Sequence, residues 1–344
     1  MASSSVAILG VPGVLGKGSN IFSFTVTTTG AQTLTLQDLG IASGKIVRVW
    51  WGDDTYNDYT GTGTRTHAYG GAGTWTVRMS PASAITVIDF RDTKITLNQT
   101  LALCRSVTSL RIDNISGFNS QYISSMALTY LNLYFPVAGT YTFNSQHISS
   151  MALTYLNLHF TAAGTYTFNS QHISSMALTY LYLRLGVAGT YTFNSQHISS
   201  MALTGLSLYF DVAGTYTFNS QHISSMALTT LYVVLHAAST TKTIARSDWS
   251  GEVVRRAQSP TIQMGLTAEQ VSDILLGIYD MASSGARTVT GGTLNVAGSN
   301  AAPTGVLQAA CPPTTGKEAA YELVNDTCGV IPAGEEFAAV TINN

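Results

Sequence analysis

The stretch Ala138–Thr154 reads AGTYTFNSQHISSMALT. The same 17 residues recur without a change from Ala163, Ala188 and Ala213, and a shorter copy, FNSQYISSMALT, runs from Phe118 to Thr129. The period of 25 residues is typical of solenoids, in which one unit cannot bury its apolar side alone and therefore packs on its neighbours. We therefore predict a stack of short coils in this part of the chain.

Each copy of the string leads into a segment of fixed apolar spacing. The joined pattern L-x-x-L-x-L occurs as Leu128/Leu131/Leu133, Leu153/Leu156/Leu158, Leu178/Leu181/Leu183, Leu203/Leu206/Leu208 and Leu228/Leu231/Val233. This spacing resembles the leucine-rich repeat. The resemblance implies that the leucines enter a stacked core, while the x positions alternate to the open face of one strand.

The copies differ at these x positions and in the loop that follows them. The residue types found there are mainly Tyr, Asn, Ser, Gly, Arg, His and Asp, which suit an adaptable binding surface. The alternative is that any surface position tolerates change, but other surface positions such as Gln146 and Ser149 do not vary among the full copies. We therefore predict a ligand-binding face made of Tyr130, Asn132, Tyr134, Tyr155, Asn157, His159, Tyr180, Tyr182, Arg184, Ser207, Tyr209, Asp211 and Tyr232.

The composition bounds the class of protein. Of 344 residues, 45% are hydrophobic and 10% are charged, whereas charged residues make up about 25% of an average soluble domain. Such a chain, rich in hydroxyl groups, suits a rigid β-structure outside the cytosol or in a virus particle. The net charge of −2 and the lack of a basic stripe predict that nucleic acid is not a partner.

No catalytic motif is evident. The sequence has no G-x-S-x-G, no P-loop and no H-E-x-x-H, so we expect neither an enzyme nor a cofactor or metal. A glycosidase would need two carboxylates to converge. The candidates for such a pair are Asp89, Asp92, Asp113, Asp211, Asp248 and Glu252.

A second set of motifs lies in residues 21–82. Phe22, Phe24 and Val26 alternate with hydroxyl residues, as in a half-buried strand. The later motifs are Trp51-Gly52-Asp53-Asp54, His67-Ala68-Tyr69 and Ala72-Gly73-Thr74-Trp75-Thr76-Val77. At this spacing they resemble the PKD (polycystic-kidney-disease-type) β-sandwich, and the resemblance implies a spacer or adhesion module rather than an enzyme.

Two groups of side chains in these motifs leave alternatives open. Asp53, Asp54 and His67 could form an acid–base or metal cluster, although an Asp in such a turn more often caps its own backbone. A histidine also recurs once per coil, either as a metal-binding or acid-sensitive ladder or as a loop residue copied with its string. These histidines are His147, His172, His197 and His222.

The three cysteines and the N-terminus indicate in which compartment the protein works. Cys104 lies in an apolar run and is expected in the core, whereas Cys311 and Cys328 either pair or stay free. Residues 1–20 do not read as a secretory signal, and no apolar stretch is long enough to span a bilayer. This favours release by lysis, as for phage virion proteins, unless a signal was removed.

The predicted fold class is mainly β with short helices, a PKD-like β-sandwich joined to a leucine-rich-repeat-like solenoid. Within a coil, Ser145–Met151 is either a short helix, which would curve the stack, or extended, which would leave it nearly straight. Short strands are expected at Tyr321–Val324 and Ala338–Ile342. The segments are an N-terminal arm (1–20), the PKD-like module (21–82), the solenoid (83–244), a C-terminal cap (245–300) with a helix at 267–283, and a tail segment (301–344).

These features favour a non-enzymatic recognition protein. We expect a phage virion or tail fibre protein whose solenoid performs receptor binding, through a cell-surface glycan or protein. The N-terminal region would contact other virion subunits; homo-oligomers are compatible with the sequence, and membrane insertion is not expected. The alternatives are cell adhesion by a bacterial surface or extracellular protein, and a purely structural subunit of a virion or filament.

Overall fold

A computed structural model describes residues 20–236, 240–250, 252–285, 287–289, 291–333 and 336–343. The fold is mainly β with short helices, as predicted for the class. The expected N-terminal arm at 1–20 lies outside the described residues, apart from Asn20.

The N-terminal strands divide between two sheets. They are β1 (Phe22–Thr29), β2 (Gln32–Ile41), β3 (Val47–Trp50), β4 (Tyr56–Tyr59), β5 (Gly63–Tyr69), β6 (Ala72–Ser80), β7 (Ile85–Phe90) and β8 (Ile95–Thr96), with a 3-10 turn at Ala82–Ala84. One sheet has the order β4-β3-β6-β1-β8, and β2 pairs with both β7 and β5 at the end of a twelve-stranded sheet. The strand predicted from Phe22, Phe24 and Val26 is confirmed, because all three side chains of β1 are fully buried.

The N-terminal region and the coils share one core. The rings of Phe22 and Phe24 lie 6.3 and 5.4 Å from that of Phe90 in β7, the first strand that pairs in parallel with the coils. Strand β8 also lies beyond residue 82 and nevertheless belongs to the N-terminal sheet. The expected boundary at residue 82 therefore does not separate two hydrophobic cores.

Each coil contributes one strand to each of two parallel sheets. The strands are β9 (Ser109–Asp113), β10 (Phe118–Asn119), β11 (Tyr130–Phe135), β12 (Tyr141–Asn144), β13 (Tyr155–Phe160), β14 (Thr165–Asn169), β15 (Tyr180–Leu185), β16 (Thr190–Asn194), β17 (Gly205–Phe210), β18 (Thr215–Asn219), β19 (Thr230–Leu235), β20 (Thr240–Thr243) and β21 (Thr261–Gln263). The odd-numbered strands extend the twelve-stranded front sheet, and the even-numbered strands form a six-stranded back sheet.

The core lies between the front and back sheets. Leu131, Leu133 and Phe135 point inward from β11 and are fully buried, as the leucine spacing predicts. From the back, Tyr141 and Phe143 point inward, and the Tyr141 ring stacks on Phe135 with centroids 4.2 Å apart. Since burial of one such side chain stabilises a fold by about 1.5–3 kcal/mol, the repetition of this layer holds the stack together.

The two sheets are joined by short 3-10 turns. They lie at Gln99–Leu103, Ser120–Ile123, Ser145–Ile148, Ser170–Ile173, Ser195–Ile198 and Ser220–His222. The helix considered for Ser145–Met151 is thus a single turn, which begins where the Asn144 side chain accepts a bond of 2.9 Å from Gln146 N. Because both sides of a coil rise by the strand spacing of about 4.8 Å, helix width does not force the stack to curve.

The C-terminal region covers the end of the stack. Its elements are α1 (Arg246–Trp249), α2 (Glu252–Arg255), α3 (Ala268–Ser283), β22 (Thr293–Asn295), α4 (Gly316–Asn325) and β23 (Ala339–Thr341). The predicted helix is confirmed as α3, with the Thr267 and Gln270 capping box in place. Strand β22 around Leu294 and strand β23 both join the front sheet, so the tail segment completes it.

One C-terminal prediction is wrong. Tyr321–Val324 was expected to be a strand, but it lies within helix α4. The reason is a second capping box, in which the Thr315 side chain accepts from Glu318 N and the Glu318 side chain accepts from Thr315 N.

The cysteines occupy distinct environments. Cys311 and Cys328 form a disulfide, and Cys104 is free and buried in the core. Beside the disulfide, the fully buried Glu322 carboxylate accepts bonds of 3.1 Å from Ala310 N and Cys328 N. Among the described helices, none combines the length and apolarity needed to cross a membrane.

Candidate functional site

The predicted binding residues lie together on the front face, which is the outward side of the odd-numbered strands β9 to β21. In-register pairing aligns their side chains in three columns that run across the coils. The first column is Ser109, Tyr130, Tyr155, Tyr180, Gly205 and Thr230. The middle column is Arg111, Asn132, Asn157, Tyr182, Ser207 and Tyr232. The third column is Asp113, Tyr134, His159, Arg184, Tyr209 and Val234.

The first column is a stack of tyrosine rings. Tyr130 stacks on Tyr155 and Tyr155 on Tyr180, with centroids 4.3 and 4.7 Å apart. The Tyr180 ring then covers Gly205, where an added Cβ would lie 2.4 Å from Tyr180 Cδ2. Since their faces are covered in this way, these rings offer edges and hydroxyl groups to a ligand. Burial raises the pKa of Tyr155 to about 12, so its hydroxyl stays neutral and can donate a hydrogen bond.

The middle column is partly recessed, which corrects two predictions. Asn132 and Ser207 were expected on the open face, but only 6% and 3% of their surfaces are exposed. The reason is the neighbouring tyrosine column: Asn132 Nδ2 lies 3.4 Å from the Tyr130 hydroxyl, and Tyr180 lies beside Ser207 in the adjoining column. These two residues can therefore orient the tyrosines but offer a ligand little surface of their own.

The third column carries mixed chemistry. Tyr134 and His159 meet edge to face with centroids 4.4 Å apart, and Arg184 follows in the next coil. Burial and the positive charge of Arg184 lower the pKa of His159 to about 4, so the imidazole is neutral at pH 7. Tyr209 in the coil after that lies 5.6 Å from the Tyr182 ring. The column thus offers one cation among neutral aromatic groups.

The loop after the strand adds two exposed groups. Asp211 lies 4.0 Å from Arg184 Nε, and its other oxygen lies 3.1 Å from His236 Nδ1. Arg184, Asp211 and His236 come from three successive coils and are each unique among the copies. The front face therefore has a charged end beside its aromatic columns.

Sequence reasoning missed the charged groups at the other end of this face. Asp89 is bonded by Arg91, and Asp113 by Arg111, with shortest contacts of 2.5 and 2.7 Å. The repeat pattern could have located these groups, because Ser109, Arg111 and Asp113 occupy its x positions in the copy that begins at Val107. Asp89 and Asp113, two of the carboxylates considered for a glycosidase pair, are thus neutralised by arginines.

The recurring histidines join one coil to the next. In the described coils, each histidine Nδ1 lies 2.8–2.9 Å from the serine Oγ of the preceding coil, as in Ser145 with His172. The same Oγ accepts a bond of 2.9 Å from Asn169 N. At the end of the row, the Ser220 hydroxyl donates to the Asp248 carboxylate, which takes the place of a histidine. The histidines are thus part of the scaffold.

The Asp53 and His67 pair also supports a turn. Asp53 Oδ1 accepts from Thr55 N and Oγ1, and Oδ2 lies 2.7 Å from His67 Nε2. The His67 ring stacks on buried Trp51 with centroids 4.8 Å apart. Burial opposes ionisation of Asp53, but the bonds from Thr55 and His67 outweigh it and hold its pKa below the ordinary value. The capping role expected for such an Asp is confirmed.

One group of side chains in the described residues has its ligand atoms as close together as a metal ion requires. It consists of Cys311, Glu322 and Cys328. The two sulfurs are joined in a disulfide, and Glu322 is occupied by backbone donors. These residues therefore do not fit a metal.

Comparisons with known proteins give few results. No family model matches the chain, and no curated protein matches it. Among solved structures, the crystal structure of a plant ice-binding protein is similar at 13% sequence identity and a TM-score of 0.34, over 64% of this chain and 72% of that chain. A likeness of this size supports no conclusion about fold family or function.

Proposed function

We propose that this chain is a non-enzymatic recognition protein that binds a cell-surface glycan or protein through the front face of its coils. The observation that carries the proposal is the place of the sequence differences. They fall mainly on three adjoining columns of one sheet face and in the loop that follows, while the back strands of the four full copies, β12, β14, β16 and β18, are identical in sequence from Tyr to Asn. Exposed tyrosine edges, a histidine, an arginine and an aspartate supply the donors, acceptors and apolar area that such recognition uses.

The same proposal covers the finer architecture and setting. We propose that residues 21–82 are a PKD-like sandwich and that the coils are a leucine-rich-repeat-like solenoid. The low charge and the rigid β-structure fit a phage virion or tail protein that displays the front face. A bacterial surface adhesin would use that face in the same way, whereas a purely structural subunit would not use it.

The test is binding to host or target cells by two variants with equal numbers of changes. In the front variant, Tyr130, Tyr155, Tyr180 and Tyr209 are changed to Ala. In the back variant, Thr142, Thr167, Thr192 and Thr217, which are half-buried on the outer side of the back sheet, are changed to Ala. We expect the front variant to lose cell binding and the back variant to retain it, with both remaining folded by circular dichroism.

Equal binding by wild type and the front variant would contradict the recognition proposal. It would favour the alternative of a purely structural subunit. Loss of binding in both variants would show that recognition is not confined to the front face.

A further inference from the structure

One arginine on the front face, Arg184, is bonded differently from the other arginines near carboxylates. Five arginine side chains in the described residues bond a carboxylate at 2.7 Å or less. They are Arg48, Arg91, Arg111, Arg246 and Arg255. Arg184 instead lies 4.0 Å from Asp211, and its buried Nε has no hydrogen-bond partner among the described residues. A guanidinium fork that is not closed by its own protein can accept a ligand.

The nearest carboxylate is directed elsewhere. Asp211 Oδ1 bonds His236 Nδ1 at 3.1 Å, whereas Oδ2 remains beyond bonding distance of Arg184. The residue beside Arg184 in the middle column is Tyr182, whose hydroxyl is kept neutral chiefly by burial, which raises its pKa. Part of the Arg184 fork is thus left open, next to a neutral group.

Neutral groups flank Arg184 on both sides. His159 precedes it and Tyr209 follows it in the ladder, at directly paired positions. The pKa of His159, lowered to about 4, makes its imidazole a neutral donor or acceptor at pH 7. Asp211 reduces the attraction for a free anion, so an anion should bind here when the rest of its molecule contacts the tyrosine columns as well.

We propose that Arg184, next to Tyr182 and flanked by His159 and Tyr209, binds an oxyanion carried by the surface glycan. This rests on the proposed function and names the chemistry of its ligand, an acidic rather than a neutral glycan. A sugar carboxylate and a phosphate diester both present oxygens that match the guanidinium fork. The aromatic edges around Arg184 contact the sugar to which the anion is attached.

The experiment measures binding of three polymers to the whole protein by isothermal titration calorimetry. Polygalacturonate supplies carboxylates, its fully methyl-esterified form supplies the same sugar without charge, and poly(glycerol phosphate) supplies phosphate diesters. We expect binding of at least one charged polymer and not of the ester. Carboxylate-only or phosphate-only binding identifies the source of the oxyanion, and failure of both charged polymers to bind overturns the proposal.

Variants of Arg184 test the residue itself. Arg184→Lys keeps the charge but loses the paired donors, and Arg184→Tyr places there a residue that the third column already carries at Tyr134 and Tyr209. We expect Lys to weaken binding about tenfold, the loss of roughly one charge-assisted bond, and Tyr to abolish it. Arg78→Lys, an exposed arginine of the N-terminal sheet, is the control and should bind like wild type.

The outcomes also separate this inference from the proposed function. Cell binding that survives in Arg184→Tyr but is lost in the tyrosine-to-alanine front variant overturns the role of Arg184 and leaves recognition by the front face intact. Cell binding that survives in both variants contradicts the proposed function as well. Arg184→Tyr that melts at the wild-type temperature but no longer binds supports the inference.

Discussion

The front and back of each coil are both parallel sheets, but the sequence differs among the copies on the front and is constant among the full copies on the back. On the back, the 17-residue string repeats down to individual bonds, such as Ser170 Oγ to His197 Nδ1 at 2.8 Å and Asn194 N to Ser170 Oγ at 2.9 Å. On the front, coil joins coil through backbone ladders, buried leucines and, just before each strand, bonds such as Thr179 Oγ1 to Thr154 O at 3.1 Å. The difference teaches that the outward side chains of the front strands themselves carry few of the described hydrogen bonds between coils, which leaves them free to vary.

The largest effect should come from removing the bonds between coils on the back. Ser145, Ser170 and Ser195 are fully buried, and each accepts a backbone N–H of the next coil and bonds its histidine. Changing all three to Ala should cost about 1–3 kcal/mol of unfolding free energy per site, because buried donors are left unpaired. Urea unfolding measures this loss.

The control for the serine variant is an exposed serine of the same coil. Ser175→Ala should change the unfolding free energy by less than about 0.5 kcal/mol, as is usual for surface substitutions. A triple serine variant as stable as this control would show that the back bonds do not stabilise the stack.

A smaller effect is expected from the one front position that accepts no side chain. In Gly205→Ala the new Cβ would meet the Tyr180 ring at 2.4 Å, so the ring must move. Overpacking of this kind costs about 1–3 kcal/mol, less than the serine variant as a whole. Gly30→Ala, where nothing lies within 4 Å of the added Cβ, is the control. An unchanged melting temperature together with unchanged tyrosine stacking by near-UV circular dichroism would contradict the covering of Gly205 by Tyr180.

The smallest effect is a pH dependence that originates on the front face. The pKa of His159 is about 4 in the folded protein and about 6.5 in the unfolded chain, so between these values the unfolded chain binds more protons. Stability therefore falls as the pH falls from about 7 towards 4. With allowance for partial exposure, His159→Tyr should remove about 1–2 kcal/mol of this loss, as measured by urea unfolding at both pH values.

The back face contributes to the same pH dependence with the same sign. Burial lowers the pKa of His197 as well, so its protonation also favours the unfolded chain. His197→Gln should therefore reduce the loss further when combined with His159→Tyr. If His159→Tyr and wild type lose equal stability on acidification, the neutral state assigned to His159 is wrong.

The strands of the front sheet could be predicted because their pattern is local. Leu131, Leu133 and Phe135 alternate with polar residues, and a period of two fixes both the element and its buried side. The back strand at Tyr141–Asn144 has the same alternation of Tyr141 and Phe143, but it is only four residues long and is followed at once by a capped turn. For the following segment, Ser145–Met151, the spacing of Ile148 and Met151 left a short helix and an extended segment as alternatives, whereas the cap at Asn144 marks the start of a single turn.

Other features depend on contacts between coils and were not visible in one strand. Asn132 and Ser207 occupy outward positions, yet they are buried by tyrosines of the first column. The bonds from serine to histidine link residues 27 positions apart, which is one period of the repeat plus two residues. They form only because neighbouring coils stack in register. Helix α4 was missed because Tyr321–Val324 was interpreted as a short strand, although Thr315 and Glu318 carried a helix start signal.

The central claim is that the front face varies because it recognises something, while the back is kept as scaffold. Sequencing this gene from many independent isolates tests it most directly, because it compares amino-acid changes at the three front columns with changes in the 17-residue string. We predict that changes will be concentrated at the outward front positions, such as half-buried Tyr155, His159 and Arg184, and will spare buried Ser170 and its histidine partner His197. Changes scattered evenly over all 25 positions of the repeat would contradict the account.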